Sequence, residues 1–162
     1  MLLSPGMTFQ LFLLGNLQSV GISRDNDKSS DLSVMLEQNN IDIACLTETW
    51  LTESNKDRMY FKNNDCFNLV RENVRRASGG VSILVKEGIP TINLNIKVPD
   101  HIECIWVALR PKKLPRSISI IIVACLYYPG TTSDYSPSHK DIIFHLTETV
   151  HHFPIKYAKP CS

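Results

Sequence analysis

A carboxylate, Glu48, stands at the end of the short apolar run from Ile41 to Thr47. Such a run belongs inside a protein. A charge is seldom left at the end of a buried strand without a partner, because losing water penalises it. In open α/β sheets the carboxyl ends of strands are where ligands and metals collect. Asn16 and Tyr127 mark two further strand ends that turn polar after apolar interiors. If those strands are neighbours, an amide oxygen, a carboxylate and a phenol converge on one rim. Oxygen donors of this kind suit a hard cation such as Mg²⁺ holding a phosphate. Polar residues also end many strands with no role beyond solvation.

Other candidates are less specific. Arg71, Arg75 and Arg76 form one basic cluster, and Arg110, Lys112, Lys113 and Arg116 form another. Either can contact phosphates, and either can be a solvated loop. His145, Glu148 and His152 recur at i, i+3 and i+7. That spacing fits a metal site, and equally a solvated helix face near a C-terminus. Trp50 and Trp106 read as packing residues rather than base-stacking platforms. No Gly-rich phosphate loop, Cys-His zinc pattern or Ser-His-Asp arrangement is evident.

The elements that must position these groups follow from periodicity. Phe9–Asn16 reads as a first strand. Asp31–Asn39 reads as a helix with Leu32, Met35 and Leu36 on one face, Ser29 or Ser30 as cap and Asn39-Asn40 as stop. Ile41–Thr47 is a second strand, and Cys66–Glu72 a third. Gly79-Gly80 opens a fourth at Val81–Lys86. Alternation at Ile92, Leu94 and Ile96 predicts a strand over Ile89–Val98, and Ile102–Arg110 is another. Ser117–Tyr128 is apolar on both faces, which places it in the middle of a sheet covered on both sides. Ser136-Pro137 opens a last helix with Ile142, Ile143, Leu146, Val150 and Phe153 as its core stripe. The fold class is α/β or α+β, with a mixed, mostly antiparallel sheet and two main helices. Two helices and one sheet are thin cover for a strand apolar on both faces.

The 162 residues suit one domain. With 43% hydrophobic and 20% charged residues the chain is not of a disordered class. A net charge of +1 neither demands nor excludes a nucleic-acid partner. The uncharged stretch before Arg24 is interrupted by polar residues and lacks a basic start, so neither a membrane span nor a secretory signal is expected. Five widely spaced cysteines read as reduced and mostly buried, as in a nuclear or cytoplasmic protein that is not secreted.

Four segments occur in a telling order: Asn16-Leu17-Gln18-Ser19, Leu46-Thr47-Glu48-Thr49-Trp50-Leu51, Gly79-Gly80-Val81-Ser82-Ile83-Leu84 and Leu126-Tyr127-Tyr128-Pro129. This pattern resembles the endonuclease/exonuclease/phosphatase superfamily, and within it the apurinic-type endonuclease domain of LINE-type (non-LTR) retrotransposons. The resemblance spans about residues 9 to 155. It implies a four-layer α/β sandwich and hydrolysis of DNA phosphodiesters with Mg²⁺ or Mn²⁺. By position, Asn16 and Glu48 resemble the family's metal-side asparagine and glutamate, and Tyr127 its phosphate-contacting tyrosine. Arg71, Arg75, Arg76, Lys112 and Lys113 become candidates for DNA contact.

The family's Gly-Asp-Phe-Asn and Ser-Asp-His segments do not occur in these residues. The chain is therefore expected to correspond to the N-terminal half of such a domain, a single C-terminally truncated unit with little metal affinity and no useful nicking alone. Its partner would be the missing half of the domain, and an exposed sheet face would favour self-association. A non-catalytic relic, and a phosphatase or phospholipase of the same superfamily, are the alternative readings.

Overall fold

The computed structural model describes residues 11–20, 28–52, 64–69, 79–112, 114, 118–128 and 138–157, with backbone only at 152 and 154–157. Its elements are strands β1 (Phe12–Asn16), β2 (Ile43–Thr47), β3 (Asn64–Leu69), β4 (Val81–Lys86), β5 (Thr91–Asn93), β6 (Glu103–Leu109) and β7 (Ile121–Tyr127). The helices are α1 (Lys28–Gln38), between β1 and β2, and α2 (His139–Tyr157), after β7.

The first sheet has the order β1-β2-β4-β3. β1 and β2 run parallel, with Asn16 opposite Thr47. Parallel neighbours need a crossover, and α1 supplies it. Asn40 stops that helix in the left-handed region at φ 50°. Ile41 N–H donates to the Leu36 carbonyl at 2.9 Å and Asn40 N–H to Glu37 at 3.0 Å, the paired bonds of a Schellman stop. Leu32 and Leu36 of α1 then pack on Ala44, Leu46 and Leu84.

β5, β6 and β7 form a second, antiparallel sheet. The two sheets face each other through Ile43, Cys45, Val81, Ile83 and Val85 on one side and Ile105, Val107, Leu109 and Cys125 on the other. α2 covers the outer face of the second sheet, where Ile142 meets Cys104 and Trp106. The layers are helix, sheet, sheet, helix, and the α/β class expected from the sequence holds.

α1 begins at Lys28, so Ser29 and Ser30 lie inside it rather than capping it, and three details of the sheets also differ from the sequence reading. The strands expected in one sheet divide into two, because Gly88 at φ 87° and Pro90, which has no N–H to pair, lead the chain off the first sheet. Face-to-face stacking, with α2 outside, also gives the apolar strand β7 the cover that one sheet lacked. The strand expected over 89–98 shortens to β5. Asn95 sits at φ 46°, and its N–H donates to Asn93 Oδ1 at 3.0 Å, a side-chain turn that competes with pairing. Leu94, Ile96 and Val98 still pack into the layer under α2. Finally, β7 lies at an edge of its sheet rather than in the middle. Its apolar faces are covered by layers, the first sheet and α2, and not by strands on both flanks.

The cap of α2 is Ser138. Its Oγ accepts the Asp141 N–H at 3.2 Å and donates to Asp141 Oδ2 at 2.7 Å. The hydroxyl, then the Ser138 backbone N–H, hold the Asp141 carboxyl below the usual carboxylate range. The cap read from the sequence, Ser136-Pro137, lies outside the described residues.

Cys45, Cys66, Cys104 and Cys125 are free thiols, all but Cys66 buried. Between the sheets the Cys125 thiol donates to the Leu46 carbonyl at 3.5 Å, and its side-chain interaction with the neighbouring Cys45 thiol lowers the Cys45 pKa and, with burial, raises that of Cys125. Burial pushes Cys104 up to about 12 and Cys66 up to about 11.

Candidate active site

Beyond the last pair of β2 the chain keeps its ladder. Ser19 N–H donates to the Glu48 carbonyl at 2.8 Å on one side, and Trp50 N–H to the Gly79 carbonyl at 3.0 Å on the other. The turn that does this is strained. Gln18 (φ 47°), Ser19 (φ 90°), Glu48 (φ 55°) and Trp50 (φ 55°) all occupy the left-handed region, where residues with a Cβ are uncommon. Such positions persist only when their surroundings over-determine them, and they cluster at functional sites.

The strain turns Glu48 off the apolar faces and onto the rim, where it is half-buried. Its Oε2 accepts the indole N–H of Trp50 and the amide of Gly79, the latter at 3.2 Å. These donors are neutral, so they fix the carboxylate without neutralising it. Among the described residues both bonds fall on one oxygen, Oε2. Asn16 is exposed on the neighbouring strand, and its Oδ1 accepts Gln18 N–H at 3.2 Å. An amide oxygen has a second lone pair to offer.

Tyr127 reaches the same end from the other sheet. It is half-buried against the layer between the sheets and lies opposite Glu103 across β6 and β7. Glu103 was not singled out in the sequence. Its Oε2 accepts the Gly80 amide at 2.5 Å, so it ties the second sheet to the first beside Glu48. The signal was present: a carboxylate begins an otherwise apolar strand, just as Glu48 ends one. The glycines are needed for the close approach. A Cβ on Gly79 would stand 2.5 Å from Glu103 Oε1, and one on Gly80 2.5 Å from Thr49 Oγ1.

Asn16 and Thr47 also line, with Cys45, Cys125 and Leu126, a cavity of about 370 Å³ open at the same end. The structure thus gathers the ends of β1, β2 and β7 at one rim. Of the candidate DNA-contact residues only Lys112 is among the described residues, and it is not gathered there. Lys112 follows the far end of β6, about 20 Å from Glu103 at the usual strand rise. Arg71, Arg75, Arg76, Lys113 and Arg116 lie outside the described residues. His145 is buried against Trp106 with ring centroids 6.2 Å apart, so it is not on the solvated face the spacing allowed.

Glu48 and Asn16 offer oxygen donors only, the kind a hard divalent cation takes. Among the described residues no three His, Cys, Asp or Glu side chains group around a common point. Such a cation would depend on substrate oxygens and water for the rest of its shell, as Mg²⁺ commonly does.

Comparison with solved structures finds the same fold in the AP endonuclease LMAP from Leishmania major. The match has a TM-score of 0.55 at 15% sequence identity, and it covers 89% of this chain and 45% of that one. The chain thus has the α/β architecture of an AP endonuclease over slightly less than half the length of that enzyme. No protein-family model and no curated protein matches the sequence.

Proposed function

We propose that this chain is the metal- and phosphate-holding part of a DNA endonuclease domain of retrotransposon type, within the endonuclease/exonuclease/phosphatase superfamily. The observation that carries the reading is Glu48: a carboxylate held by neutral donors on a strained strand end, at the rim shared with Asn16 and Tyr127, in the fold of an AP endonuclease.

Glu48 and Asn16 hold Mg²⁺ or Mn²⁺, which when bound draws charge from the scissile phosphate's oxygens. Tyr127 hydrogen-bonds that phosphate and orients it. The Trp50 indole and the Gly79 amide keep Glu48 in one rotamer, so its position is set before substrate arrives. The residues of this chain include no Gly-Asp-Phe-Asn or Ser-Asp-His segment to orient water or serve the leaving oxygen. A missing general acid or base costs about 10²–10⁴-fold in rate. The chain alone is therefore expected to nick DNA at most faintly, with the complementary half of the domain as its partner.

Supercoiled plasmid incubated with Mg²⁺ and either the wild type or Glu48→Ala tests this. Faint nicking lost in the variant, or none from either folded protein, agrees with the reading. Vigorous nicking that survives Glu48→Ala contradicts it.

A further inference from the structure

We infer that Glu103 is a positioning residue for Glu48, acting across the sheets through the Gly79-Gly80 backbone. This rests on the reading of Glu48 as the metal-side carboxylate, though the mechanical link stands on geometry alone. Glu103 accepts the Gly80 amide at 2.5 Å, and the adjacent Gly79 amide donates to Glu48 Oε2 at 3.2 Å. Successive amides of one dipeptide thus point at carboxylates from different sheets.

Both glycines have positive φ, at 73° and 85°, so successive N–H groups are turned out of the strand pattern to do this. The Gly80 N–H and the Gly79 carbonyl belong to one planar peptide unit. The Gly80 and Gly79 carbonyls accept from Thr49 and Trp50, at 3.3 and 3.0 Å, the two residues that follow Glu48 in the chain. Holding the Gly80 amide therefore holds the Gly79 carbonyl, and through it the Trp50 backbone that carries Glu48's other donor, with the Gly79 amide to Glu48 one Cα away. Glu103 also stands directly opposite Tyr127. One side chain sets the spacing between the carboxylate of the first sheet and the phenol of the second. Glu103 further lines a cavity of about 530 Å³ with Asn68, Asn93, Asn95 and Trp106, so it is approached from solvent on its other side.

Two-dimensional amide spectra of the ¹⁵N-labelled protein test the link without any metal. Glu103→Ala is expected to speed exchange at the Gly79 amide and the Trp50 indole by about tenfold or more, the worth of one charge-assisted hydrogen bond. Glu103→Gln keeps an acceptor for Gly80 and is expected within about threefold of wild type. Unchanged exchange at both groups in a folded Glu103→Ala protein overturns the proposal, as does a Gln variant no better than Ala.

If the alanine variant fails to fold, Glu103→Asp reads the same link, because its shorter side chain draws the carboxylate back from the Gly80 amide. Faster exchange at the Gly79 amide and the Trp50 indole supports the proposal, and unchanged exchange at both overturns it. Terbium(III) binding, read by emission sensitised through Trp50 in wild type and Glu48→Gln, separately tests the metal reading. Its failure leaves the exchange result intact.

Discussion

Glu48 is defined less by its own type than by what surrounds it. A carboxylate at a strand end is common; one in the left-handed region, held by an indole and a glycine amide, is not. The sequence displayed the first fact and hid the second, because the donors come from Trp50, two residues on, and Gly79, 31 residues on. Periodicity places residues on faces but says nothing of which turn leaves the strand pattern. Gly80 carries the sharpest residue-scale expectation. At φ 85°, with Thr49 Oγ1 where a Cβ would stand, Gly80→Ala meets both backbone strain and a clash. The strain alone costs about 1–2 kcal/mol. Chemical denaturation should show a loss at least that large; a neutral change would mean the turn relaxes freely.

At the scale of elements, α1 and α2 each seal one outer face. Leu36 is 3% exposed and sits at the centre of the α1 contact. Leu36→Ala should cost about 2–5 kcal/mol by urea denaturation, and a loss under that range would mean the layer repacks. α2 carries a pH signature. Burial of His145 against Trp106 lowers its pKa, because the charged ring would lose its water there. The unfolded chain then binds that proton more tightly than the folded one. Stability from this source is present above the unfolded value of about 6.5 and is lost as pH falls through and below it. Thermal midpoints should therefore drop on acidification more in the wild type than in His145→Phe; equal drops would contradict this. Of the stripe read on α2, Ile142, Leu146 and Phe153 do pack inward, since helical spacing survives any topology, but Ile143 and Val150 are exposed. The burial of His145 was not legible, since a polar residue beside that stripe reads equally as solvated.

At the scale of the whole molecule, the edge strands among the described residues are β1 and β3 in the first sheet and β5 and β7 in the second. Leu14 and Phe12 on β1 are 79% and 45% exposed. Exposed apolar edges favour pairing with another chain. The open edges fit the account of a domain whose partner half completes the sandwich, and a second copy is the substitute at hand. Leu14→Lys should reduce concentration-dependent association in sedimentation velocity; association that is unchanged would place the contact elsewhere. The layered class was readable from strands apolar on both faces. The division into two sheets was not, because Gly88 and Pro90 look from sequence like any turn. The account rests on a cation at the rim of Glu48. Electron paramagnetic resonance of Mn²⁺ measures that directly, with a short DNA duplex present to complete the metal's shell. The account predicts weak Mn²⁺ binding by the wild type that the duplex strengthens and Glu48→Gln abolishes. Mn²⁺ binding equal in both proteins, or none in either with duplex present, would contradict it.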